Sequence, residues 1–322
     1  VARIGLVLGA GGIVGHAFHA GVLSALAEAT GWNPRSAEVI VGTSAGSRVG
    51  AMLRAGVSAG DLAAFTAGDP PSEEGARFLA RLGPPAKLPP FTLAGLLDDF
   101  PAASSPRFLL RAALRPWEAR FGTVLAASLP AGRVPTEEMV AGLRRALGDG
   151  WPDRPLWICA VRLDDGRRVV FGKAGAPPAA VATAVAASSA IPGFFTPVEQ
   201  DGVRYVDGGV HSPTNLDLVE GLGLDLVLVS SPMSTVGGAL RFSADFPGRL
   251  LSRLRLAQEA RRVRAAGTVV VAFQPNAADQ LVMGSNAMDP SRRRPVVHQV
   301  RESVLRRLER AEFRERLSAL RR

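Results

Sequence analysis

The chain has 322 residues, 47% of them apolar and 21% charged, a composition that excludes both an intrinsically disordered chain and a disulfide-stapled mini-domain. Its single cysteine, Cys159, excludes an internal disulfide. The net charge of +9 is unevenly placed: residues 1–240 carry 20 basic and 21 acidic side chains, whereas 241–322 carry 18 and 8. An excess of that kind, nearly all arginine, points to an anionic partner, either a phospholipid surface or nucleic acid.

An apolar run at Ile4–Leu8 leads into a glycine loop over 9–15 and a helical stretch over 16–30. A second apolar run at 39–41 precedes another helical stretch over 45–56. Short buried strands, each followed by a helix, predict a mainly parallel sheet with helices on its faces. Residues 69–134 are rich in proline and hold short amphipathic pieces at 91–97, 108–114 and 117–125. They predict a helical, cap-like insertion within a single domain spanning 1–322, in which the helical spacing of Phe91, Phe100, Phe108, Trp117 and Phe121 fits equally an apolar channel lining and a buried insertion core. Strand-like segments resume at 156–163 and 168–172 around the turn Asp164-Asp165-Gly166. An alanine-rich helix over 178–189 and strands at 203–206, 224–230 and 268–273 follow. From 241 onward the chain predicts a basic helical extension, in which Val297, Val300, Val304, Leu308, Leu317 and Leu320 recur at helical spacing among arginines.

Two long uncharged runs, 4–27 and 174–198, do not predict a signal core or a membrane span. The first holds six glycines and the second is broken by Pro177, Pro178, Pro192 and Pro197. The expectation is a cytoplasmic protein, with peripheral membrane contact left open.

The most informative residues are Gly42-Thr43-Ser44-Ala45-Gly46, a G-x-S-x-G sequence between a strand-like and a helix-like segment. A sharp strand-to-helix turn strains the serine and demands small neighbours, because the backbone closes on itself there. Ser44 would then sit at a helix N-terminus, where the macrodipole favours developing negative charge. The loop Gly9-Ala10-Gly11-Gly12-Ile13-Val14-Gly15 would supply amide N–H groups for a tetrahedral oxyanion if the first two strands pair in parallel. A dinucleotide loop is the rival reading, but Val14 stands where its third glycine belongs, and no acid ends the second strand.

For the base, a Ser…Asp…His order could be assembled from Ser44, Asp207 and His298. Ser44 follows only the second strand, however, whereas in a triad hydrolase several strands precede the nucleophile. Asp207 itself, in Tyr205-Val206-Asp207-Gly208-Gly209, is the better candidate, with Gly208 and Gly209 permitting close backbone approach. An ordinary aspartate is a weak base, so burial would have to assist it. His16, His19 and His211 read as packing residues, and Cys159 as core.

Together the glycine loop, the elbow, the segment Ala187-Ser188-Ser189-Ala190-Ile191-Pro192-Gly193-Phe194-Phe195-Thr196-Pro197-Val198 and the closing Asp207-Gly208-Gly209 resemble the patatin-like phospholipase family over about residues 3–232. The overall texture is similar to that of actinobacterial members. The resemblance implies a three-layer α/β/α sandwich and hydrolysis of acyl esters of phospholipids, lysophospholipids or related lipids, with neither metal nor other cofactor. It assigns Ser44 as nucleophile, Asp207 as dyad acid, and Gly11, Gly12 and the Ile13 amide as the oxyanion loop; Gly42, Ala45, Gly46, Gly208 and Gly209 support the turns. The family's loop usually carries Arg or Lys where this chain has Val14, which bears on substrate preference and activity. The alternative is a catalytically weak or inactive lipid-binding protein that retains the fold. The basic C-terminal helices are expected to touch anionic membranes. Nucleic acid is not expected, since no recognition motif or aromatic-interleaved basic patch accompanies the arginines.

Overall fold

The apolar pentads of the sequence become the strands of one eight-stranded sheet. A computed structural model describes residues 2–84, 89, 103–115, 117, 120–236 and 245–321. In chain order, β1 (Ile4–Leu8), α1 (Gly12–Thr30), β2 (Val39–Thr43) and α2 (Ala45–Arg54) form the expected α/β opening. Helices α3 (Ala59–Ala67), α4 (Glu73–Leu82), α5 (Pro106–Leu114), α6 (Phe121–Ser128) and α7 (Glu137–Leu147) follow. Next come β3 (Leu156–Arg162), β4 (Arg168–Phe171), α8 (Val181–Ser189), β5 (Val198–Gln200), β6 (Val203–Asp207) and β7 (Leu226–Ser230). The chain closes with α9 (Phe246–Ala265), β8 (Val269–Phe273), α10 (Ala277–Met283), α11 (Arg293–Leu308) and α12 (Ala311–Arg316).

The strand order is β5-β6-β3-β2-β1-β7-β8, with β4 also pairing β3. The five strands from β3 through β8 are mutually parallel, while β4 and β6 run antiparallel to β3. β1, β2 and β7 are buried along their whole length, as parallel strands covered on both faces must be. Alternation divides their side chains between two cores. Leu6, Leu8, Ile40, Ile158 and Leu228 pack with α1, α2, α8 and α11; Val7, Val39, Val41, Cys159 and Val229 pack with Leu256, Ala260 and Val263 of α9. The molecule is therefore a three-layer α/β/α sandwich.

Two elements depart from the sequence expectation. Helix α1 starts at Gly12, inside the glycine loop, because Gly12 enters it at φ 62°. The aromatic residues of the pieces at 108–114 and 117–125 line no channel to Ser44: Phe108 packs with Val161, Leu163 and Val206, while Trp117 and Phe121 are both 79% exposed. The piece at 91–97, with Phe91 and Phe100, lies outside the described residues. The apolar stripe of the tail is core, since Val296, Val297, Val300, Val304 and Leu308 of α11 are buried. At Gly21 of α1 a Cβ would stand 2.8 Å from the Val297 carbonyl oxygen, so the two helices meet backbone to backbone.

Candidate active site

Ser44 sits in the turn between β2 and α2 at φ 53° and ψ −119°, a conformation that costs an L-residue of order 1–3 kcal/mol. The turn is tight enough that a Cβ at Gly42 would lie 2.5 Å from the Ser47 Cα, and one at Gly46 would run into the Leu8 carbonyl. Two hydrogen bonds hold it. The Ser44 amide donates to Ser188 Oγ at 2.9 Å, and the Ser47 hydroxyl donates to the Ser44 carbonyl at 2.7 Å. Behind the turn, Asn215 Nδ2 donates to Thr43 Oγ1 at 3.0 Å, and Asn215 Oδ1 accepts from Arg168, which also grips Asp217 through two 2.7 Å bonds.

Asp207 ends β6 and is 6% exposed. The Gly209 amide donates to its Oδ1 at 2.7 Å. Burial is the dominant influence and pushes the carboxyl up from 3.8 to about 6, although the Ser44 side chain and the Gly209 amide pull it down. A Cβ at Gly208 would enter the Cys159 carbonyl, so only glycine lets the chain turn across β3 here.

The glycine loop is anchored from below. Gly9 and Ala10 amides donate to the carbonyls of Ser230 and Pro213 at 2.9 and 2.8 Å. His19 bridges the Gly9 carbonyl at 2.8 Å and Ser230 Oγ at 2.7 Å. Burial lowers His19 to about 4, so its ring is neutral at pH 7; the nitrogen facing Gly9 carries the hydrogen, and the other accepts from Ser230. Val14 is buried, and its amide donates to the Ala287 carbonyl at 2.9 Å. Among the described residues the amides of Gly11, Gly12 and Ile13 meet no acceptor, and they stand at the N-terminus of α1. The loop also reaches the acid: a Cβ at Gly209 would lie 3.2 Å from the Ala10 Cβ.

A cavity of about 430 Å³ opens over Ser44, Gly12 and Ile13, within the usual range for small-molecule sites. Phe65, Met139, Ile191, Phe195 and Met288 give it an apolar wall, and Arg48 and Arg293 a cationic one, with His16 beside them. A larger depression of about 520 Å³ beside Arg264, Val270 and Arg316 is lined by none of these groups.

Thus Ser44, Asp207 and the predicted loop and elbow glycines converge, with Ala45 opening α2. The histidines stay apart. His298 is exposed and lies 3.5 Å from Asp69; His211 is held at about 3, chiefly by burial and then by Arg168 and Arg120, and is not among the groups acting on Asp207. Cys159 is core, its thiol pushed up to about 12 by burial. Sequence reasoning gave no role to Ser188, Asn215, Arg48 or Arg293, and read His19 as a packing residue. Only Ser188 carried a signal, its place in the Ala187–198 block; the others come from elements that sequence spacing does not bring together.

Among solved structures, VipD from Legionella pneumophila aligns with 96% of this chain at 13% identity and a TM-score of 0.43, over 67% of its own length. The type III effector protein ExoU aligns with 96% at 17% identity and a TM-score of 0.39, and this chain spans about half of it, 53%. The model of the family described as patatin-like phospholipase matches residues 6–219, a stretch that contains the glycine loop, the Ser44 elbow and Asp207, and the chain belongs to that family.

Proposed function

We propose that the protein is a serine hydrolase of lipid acyl esters working through Ser44 and Asp207. The observation that carries this reading is that Thr43, beside Ser44, and the buried Asp207 pair with successive residues of β3, with Ser44 in a strained elbow that lines a largely apolar cavity. Asp207, ionised at pH 7 but raised to about 6, accepts the serine proton as Oγ bonds to the ester carbonyl carbon. The carbonyl oxygen becomes an alkoxide, held by the open amides of Gly11, Gly12 and Ile13 at the positive end of α1. Collapse breaks the ester C–O bond, and Asp207 returns its proton to the departing alcohol. A water molecule then gives its proton to Asp207 and attacks the acyl-enzyme, releasing the fatty acid and restoring Ser44.

Phospholipids, lysophospholipids and neutral glycerides are the substrate classes to distinguish. The apolar wall supports a fatty-acyl chain. Peripheral contact with an anionic bilayer is part of the proposal; it draws support from exposed arginines such as Arg253 and Arg261 beside exposed Leu251 and Leu254 on α9. The test is mass spectrometry after reaction with a fluorophosphonate, followed by product analysis over a lipid panel. An adduct on Ser44, and fatty-acid release lost in Ser44→Ala, are expected. A folded wild-type protein that takes no adduct and releases no fatty acid from any panel lipid would leave only a lipid-binding role.

A further inference from the structure

Two arginines share the cavity with the nucleophile. Arg48 projects from the first turn of α2, one helical turn after Ser44, and Arg293 from the start of α11; His16 of α1 lies with them. All three are partly shielded from water. Arg48 donates through Nη1 to the Met139 carbonyl at 2.8 Å, which fixes its direction without neutralising it. Among the described residues no carboxylate forms an ion pair with Arg48 or Arg293. Two acids that meet the neighbours of Arg293 are occupied, Asp289 by Arg292 and Asp69 by Arg294. The Nε2 of His16 is buried without a hydrogen-bond partner.

The electrostatics agree. Burial lowers Arg48 to about 10, with Arg293 as the second cause, and His16 is lowered by burial and then by Arg48. The influences on these three groups are desolvation and mutual repulsion, with no acid among them. Cations gathered in a shielded cavity without a counter-charge are costly. A ligand anion relieves that cost, and two guanidinium forks match the oxygens of a phosphate. A doubly charged phosphate neutralises both arginines, a carboxylate only one. Val14, buried and uncharged, contributes nothing here.

We propose that Arg48 and Arg293, with His16 beside them, form a phosphate subsite within the ester cavity, so that the preferred substrate is an acyl ester bearing a phosphate close to the scissile bond. This rests on the hydrolase reading above and narrows its substrate class.

The test is calorimetric titration of the full-length Ser44→Ala protein at pH 7 with dodecyl phosphate, with inorganic phosphate and with uncharged 1-monododecanoylglycerol. Dodecyl phosphate is expected to bind more tightly than the glyceride, and Arg48→Gln or Arg293→Gln to narrow that gap by about tenfold or more. If Arg48→Gln does not fold, Arg293→Gln decides alone. Binding of inorganic phosphate that both substitutions abolish, without preference between the two lipids, keeps the subsite but assigns it to the free ion and overturns the substrate claim. A parent protein that binds both lipids equally and takes up no inorganic phosphate overturns the subsite itself. Fluorophosphonate labelling of the wild type reports on the hydrolase separately: an adduct on Ser44 alongside that negative titration sinks the subsite alone, whereas no adduct sinks the reading beneath it.

Discussion

Thr43 and Asp207 stand in succession along one edge of β3: Thr43 pairs with Cys159, and Asp207 with the next residue, Ala160. β4 takes the other edge over residues 158–161, so β2 and the antiparallel β6 must share this one, the two strands ending against each other. Ser44 leaves the sheet at the point where Asp207 arrives. Their meeting is therefore set by backbone register, in which one residue is a step of about 3.3 Å, and the site is as rigid as the sheet.

The raised Asp207 carboxyl has a cost in stability. Its folded value of about 6 against the usual 3.8 means that between about pH 4 and 6 the native state holds a proton that the unfolded chain releases. Stability contributed by the protonated form is thus present below pH 4, lost as pH rises through about 6, and absent above it. Asp207→Asn, which never ionises, should be more stable than wild type at pH 8 by on the order of 3 kcal/mol, with the two melting temperatures converging below pH 4. Thermal melts across pH 3.5–8 check this; a variant less stable than wild type at pH 8 would contradict it.

Activity should follow the opposite limb of the same titration. Because the base must be ionised, kcat/KM for an uncharged ester should rise about tenfold per pH unit below 6 and level off above it. His298→Ala should leave that profile in place, since His298 lies beside Asp69. Loss of turnover in that variant would restore a histidine triad.

The elbow was legible in the sequence because its chemistry and its backbone geometry make the same demand: only glycine tolerates the approach of Gly46 to Leu8. Asp207 was legible only in company, as an acid at a strand end before two glycines. Helix α9 gave no periodic signal, since its buried positions include Arg249, Ser252 and Glu259; Glu259 is there because its carboxylate accepts from Thr214 and the Leu216 amide. The phosphate subsite was illegible because Arg48 and Arg293 come from helices far apart in the chain.

Ser188 tests how the strained elbow is held. Its hydroxyl accepts from the Ser44 amide and is fully buried, so Ser188→Ala leaves that N–H without a partner at a cost of about 1–3 kcal/mol. The elbow is the segment that would relax in response. The expected result is a lower melting temperature together with slower fluorophosphonate labelling of Ser44, whereas Ser188→Thr, which keeps the acceptor, should restore part of the labelling rate. A Ser188→Ala protein that labels at the wild-type rate would show that the turn holds itself.

The basic tail presents the last prediction, because its charge and its packing pull in different directions. Val296, Val297, Val300, Val304 and Leu308 of α11 are buried against the body of the fold, each contributing about 1.5–3 kcal/mol, and Gly21 admits the α11 backbone at a distance no larger residue allows. That face cannot enter a bilayer without leaving the core. Several tail arginines are also engaged, Arg294 with Asp69 and Arg301 with Glu28. Truncation after residue 290 should therefore yield insoluble protein, and Gly21→Val a fold destabilised by several kcal/mol, as chemical denaturation would measure. Membrane attachment has to be probed by charge instead: Arg253→Gln with Arg261→Gln, both exposed on α9, should keep the fold and weaken sedimentation with anionic vesicles at low salt, by about 1 kcal/mol per arginine removed. If truncation leaves a soluble, cooperatively melting protein, α11 is an appendage and its apolar face is free to meet lipid.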